Sequence, residues 1–89
     1  MDQIKIGIFI AECRKKVNIT QMQLADKLGI TDKAISKWER GISMPDTSIM
    51  LELCDILGIS VNELLSGEKI QMENNDKKNE QLLLEMAKE

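Results

Sequence analysis

Apolar residues in this chain recur at three- and four-residue steps through five short runs, and no stretch alternates apolar and polar for the length of a strand. Ile6, Phe9 or Ile10, Cys13 and Val17 mark the inner face of a first helix over about residues 3–16. Leu24, Ala25 and Leu28 mark a second, and Ala34, Ile35 and Trp38 a third that stops at the Arg40-Gly41 break. Ile49, Leu53, Ile56 and Leu57 mark a fourth, and Val61 to Leu65 a short fifth. The pattern predicts an all-α, five-helix domain.

The residues between these runs punctuate them in the same places. Thr20 followed by Gln23 is a capping box, Thr31 is an N-cap for the third helix, and Ser60 with Glu63 is a second box opening the fifth. Asp46, after Pro45, is the N-cap expected for the fourth helix, which Gly58 closes. Asn18 and Ile19 turn the chain into the second helix, with Ile19 placed as a hydrophobic staple. Gly29 permits the left-handed turn between helices two and three, and Ile30 fills the angle.

Two helices joined by a short glycine-containing turn make a helix-turn-helix unit, and DNA-binding versions lay the second of the pair in the major groove. Removing the inner face of that second helix leaves Asp32, Lys33, Ser36, Lys37 and Arg40, all able to hydrogen-bond to base edges or phosphates. The N-terminal part of such a helix reaches the bases, so Asp32, Lys33, Ser36 and Lys37 are the expected base contacts. Asp32 has an equally ordinary role at the positive end of the helix dipole.

The segments T-Q-x-x-L-A, G-I-T and I-S-K-W-E-R-G, followed by P-D-T and L-C-D-I-L-G-I-S-V-N-E-L-L-S-G, resemble the lambda-repressor/Cro-type helix-turn-helix family of bacterial and phage regulators over roughly residues 5–67. The resemblance implies an ion pair between Arg14 and Glu39 that ties the first helix to the end of the third. It implies that Gln21 holds a phosphate together with the free amides at its helix N-terminus. It also places the Gly41-Ile42-Ser43 loop along the sugar-phosphate backbone, with Ser43 and the amides there as ligands. Thr31, Trp38 and Arg40 complete the expected phosphate contacts, Trp38 with its body on the core and its edge toward the DNA. Regulators of this family are expected to bind palindromic double-stranded DNA as homodimers in the cytoplasm of bacteria, at the nucleoid. A repressor is expected, with an antitoxin-like or protein-interaction module as the other reading.

Net charge of −3 argues against nucleic acid until its distribution is read. Residues 14–40 hold seven basic and three acidic side chains, whereas residues 41–67 hold four acidic and no basic ones. Two cysteines far apart and no histidine make no metal set, and Cys13 and Cys54 read as reduced core thiols. No glycine-rich phosphate loop and no nucleophile beside a base appear, so no enzyme, cofactor or small-molecule ligand is expected. The apolar run from Ile6 to Ala11 is too short to span a membrane and follows an acidic residue, so neither a span nor a targeting segment is expected. The domain is expected over residues 1–67. Residues 68–89 read as a polar linker and a C-terminal helical tail from about Asp76 to Lys88, with Leu82, Leu83 and Met86 on one stripe: either a frayed end or a dimerisation helix.

Overall fold

Side-chain oxygens start four of the five helices. The Asp2 carboxylate accepts from the Ile4 and Lys5 amides, Thr20 from Gln23, Thr31 from Ala34 and Ser60 from Glu63, and the Thr20 and Ser60 caps are complete capping boxes. In the computed structural model, which describes residues 1–70, the elements are α1 (Gln3–Lys16), α2 (Gln21–Leu28), α3 (Asp32–Glu39), α4 (Thr47–Leu57) and α5 (Val61–Ser66), with no strand among the described residues. Most of the expected linker and all of the expected tail helix lie outside the described residues.

Two local expectations need correction. Asp46 occupies the N-cap position of α4 without making a side-chain cap; its carboxylate instead accepts from the neighbouring Thr47 hydroxyl at 3.4 Å. Val17 is not on the inner face of α1. The helix stops at Lys16, Val17 becomes its C-cap, and the side chain is 40% exposed. Asn18 then turns the chain at φ 60, and Ile19 packs against the core in place of Val17.

Each helix delivers at least one fully buried aliphatic side chain to a single core: Ile6 and Ile10 from α1, Leu24 from α2, Ile35 from α3, Leu53 from α4 and Leu64 from α5. Burial of such a side chain is worth roughly 1.5–3 kcal/mol, so the association of all five helices rests on these contacts. Phe9 and Ile10 are both buried, settling the choice the spacing left open. Against this core α1 and α2 cradle α3, while α5 closes the far side on α1 and α4.

The α1–α3 crossing is backbone against backbone. A Cβ built on Gly7 would run into the carbonyl oxygen of Trp38 and stand 2.8 Å from that of Glu39. A helical glycine costs about 1 kcal/mol relative to alanine; here its missing side chain is what lets α3 lie so close. The end of the third helix is thereby held by the start of the first.

Candidate nucleic-acid interface

α3 is amphipathic in the strict sense: Ile35 and Trp38 are buried and Asp32, Lys33 and Lys37 are exposed. Lys33 and Lys37, four residues apart, share one face of the helix. Ser36 is half-buried on the same side, its Oγ accepting from Arg40 Nε at 3.2 Å, and Arg40 Nε also donates to the Ser36 carbonyl at 3.3 Å. Arg40 therefore folds back along α3. Trp38 is only 6% exposed, so its ring belongs to the core and offers a ligand no more than an edge.

Beneath this face lies a charged network. Arg14 Nε donates to Glu39 Oε2 at 2.6 Å, and Arg14 Nη2 to Glu39 Oε1 at 3.1 Å, a bidentate pair with both side chains at 10% exposure or less. The third arm of the guanidinium, Nη1, donates to the Ile19 carbonyl at 2.9 Å. A desolvated pair is stable only when its remaining valences are filled. Glu39 Oε1 has one more donor, Gln21 Nε2 at 3.0 Å.

Gln21 is thus held from below, a contact that the sequence reading did not contain. Its amide nitrogen carries two hydrogens, and one remains for a ligand above the surface. At the same helix end Thr20 satisfies the Gln23 amide, and the Gln21 and Met22 amides have no partner among the described residues. Thr31 opens α3 in the same manner, its Oγ1 accepting from the Ala34 amide at 3.3 Å while its hydroxyl proton stays available.

The loop after α3 differs from expectation. The Gly41 amide donates to the Trp38 carbonyl at 3.0 Å, and the Ile42 and Ser43 amides to the Lys37 carbonyl at 2.9 and 3.4 Å. Those amides close the helix end and are not free for an anion. From this loop only the Ser43 side chain remains as an expected phosphate donor. Sequence reasoning also missed Gln3, whose Nε2 donates to the Gly41 carbonyl at 2.8 Å across 38 positions of chain; no local signal marks such a contact. Gly7 did carry a signal, as an isolated glycine inside an apolar helical run.

Pairing Arg14 with Glu39 removes one charge of each sign, leaving six basic and two acidic side chains over residues 14–40. The surplus is unchanged and now wholly outward. On the other side, Glu63 is turned inward: its carboxylate accepts from the Ser60 amide at 2.9 Å and the Ile70 amide at 3.0 Å. The Ser60 hydrogen bond foremost, with that of Ile70 and the nearby Lys69 ammonium, outweighs burial and holds the acid below its ordinary range. Cys13 and Cys54 are buried free thiols, each raised above its ordinary value chiefly by desolvation. Among the described residues there is no cluster of metal-ligating side chains and no helix long and apolar enough to cross a membrane.

Comparison with known proteins points one way. The Helix-turn-helix family model matches residues 10–64. YqaE of Bacillus subtilis, an HTH-type transcriptional regulator, is 41% identical over 59 residues, covering 66% of this chain and 51% of its own length. The cryptic phage CTXphi transcriptional repressor RstR of Vibrio cholerae is 38% identical over 61 residues, covering 68% of this chain and 54% of its own. Among solved structures, the P22 c2 repressor in complex with a synthetic operator superposes with a TM-score of 0.67 at 36% identity, covering 71% of this chain and 96% of that one. The chain spans about half the length of the curated relatives it matches.

Proposed function

Because the chain belongs to the lambda-repressor/Cro-type helix-turn-helix family, we propose that it is a transcriptional regulator that reads double-stranded DNA with α3 and acts as a repressor. The observation that carries this reading is the outward row of Asp32, Lys33, Ser36 and Lys37 on a helix whose opposite face is locked into the core. Lysine donates to guanine O6 and N7, serine donates or accepts, and aspartate accepts from cytosine N4. Gln21 and the open amides beside it, Thr31, Arg40, Ser43 and the edge of Trp38 hold the phosphates on either side. Binding is then driven by neutralising phosphates and releasing counterions, with a steep dependence on salt.

One domain of this size offers few base contacts, so two copies on a palindromic site supply the affinity a regulator needs. The acidic α4–α5 side faces away from the phosphates in this arrangement, and Leu51, 71% exposed beside Glu52, suits a subunit contact there. Residues 1–67 form the reading unit, and residues 68–89 are an appendage to it. The protein works in the cytoplasm, at the nucleoid, without catalysis. The test is selection from a pool of random duplexes with the full chain: a shared, two-fold-symmetric sequence with two chains bound per duplex is expected. Recovery of no common sequence would overturn the regulator reading in favour of an interaction module.

A further inference from the structure

The start of α1 lies before the span the family model matches, and three features join it to the end of α3. Gln3 Nε2 donates to the Gly41 carbonyl at 2.8 Å. A Cβ on Gly41 would stand 3.0 Å from both Cα and Cγ1 of Ile4, so the loop lies directly on the first turn of α1. At Gly7 the same helix passes under the Trp38 and Glu39 carbonyls. Asp2, by capping the Ile4 and Lys5 amides, fixes the turn that carries Gln3.

Gly41 is the pivot between α3 and Ser43. Its own amide and the two that follow are bonded back to α3, which ties the loop to the helix, and its carbonyl accepts from Gln3. The exposed end of α1 thereby meets the backbone between Arg40 and Ser43. We propose that Gln3 is a positioning residue for DNA binding, holding the loop after α3 so that Arg40 and Ser43 meet the phosphate beside the recognition helix. The inference rests on the DNA-binding reading above.

The experiment compares the full chain with its Gln3→Met variant, which keeps the length of the side chain and removes the donor, on the duplex selected by the unaltered protein. Affinity is measured across a salt series, phosphate contacts are mapped by ethylation interference, and thermal unfolding is followed in parallel. Loss of one hydrogen bond in the bound state predicts a roughly 3- to 10-fold weaker complex. Loss of a phosphate contact predicts a salt slope smaller by about 0.9, together with disappearance of interference at one phosphate per half-site. Equal affinity and slope would overturn the inference. So would weaker binding with every phosphate still required and a lower unfolding midpoint, the mark of a purely structural role. Failure of the unaltered protein to select any duplex is a separate result, which removes the DNA-binding reading itself.

Discussion

Gln21 Nε2 and Glu39 Oε1 lie 3.0 Å apart, so the side chain expected to hold a phosphate at the head of α2 is anchored on the carboxylate that pairs with Arg14. Positioning at the surface and cohesion in the interior thus share one acceptor. Glu39→Leu alone strands the Arg14 guanidinium in a desolvated site, and a loss of about 3–5 kcal/mol is expected in urea unfolding. The Arg14→Met/Glu39→Leu double variant should recover much of that loss, because no unpaired charge is left behind. Gln21→Ala should weaken DNA binding and also lower stability, by roughly 1–3 kcal/mol, because it takes a donor from a buried carboxylate oxygen. A double variant no more stable than the single one would show that the pair contributes by something other than mutual neutralisation.

The Lys37 side chain is exposed on the outward face of α3 and makes no hydrogen bond or ion pair with another described residue. Lys37→Ala should keep the helical circular dichroism and unfolding midpoint and weaken binding to the selected duplex by ~1–3 kcal/mol. Undiminished affinity would place another residue in the groove.

Gly7→Ala introduces a methyl group where the Trp38 and Glu39 carbonyls already stand. Backbone cannot rotate away as a side chain can, so α1 and α3 must separate. A destabilisation of roughly 1–3 kcal/mol is expected, against the gain of about 1 kcal/mol that the same change brings in an open helix. Chemical denaturation reads the sign, and a stabilised variant would mean the crossing is looser than described.

Glu63 gives the fold an acid-sensitive joint. Its carboxyl is held below its ordinary value of 4.5, so its contribution is complete above that pH and is lost as pH falls through the lowered value. Glu63→Gln should be less stable than the unaltered chain at neutral pH, by roughly 1–3 kcal/mol, and the gap should close in acid. A gap independent of pH would assign the effect to shape instead of charge.

Burial raises both thiols, which lowers the thiolate fraction that alkylating agents attack. Cys13 and Cys54 should react slowly with iodoacetamide at neutral pH and quickly once the chain is unfolded. Mass spectrometry after timed quenching distinguishes the two, and rapid native labelling of either would mean that its side of the core opens readily.

What could be read in advance was local. The caps at Thr20, Thr31 and Ser60 and the turn at Gly29 depend on residues within a few positions of one another, and all four form. Asp46 has the right residue type at the right position, but its carboxylate turns to Thr47, a choice among nearby donors that type alone does not decide. The Arg14–Glu39 pair was anticipated only from family likeness, since 25 positions separate the partners and spacing implies nothing about them. Gln21–Glu39 and Gln3–Gly41 are products of the helix crossing and have no counterpart in any short pattern. The amides after α3 are engaged because the chain curls back over the helix end and bonds the Lys37 carbonyl, which family likeness does not foretell.

The division of α3 into a locked face and an outward one has a consequence for how such a domain changes over time. Asp32, Lys33 and Lys37 are exposed and lie outside the core cluster, so if they read the bases as proposed, replacing them alters the target while the scaffold stands. A lineage can move from one operator to another by single substitutions without passing through an unfolded intermediate, and an experimenter exchanging those three side chains can follow the same route.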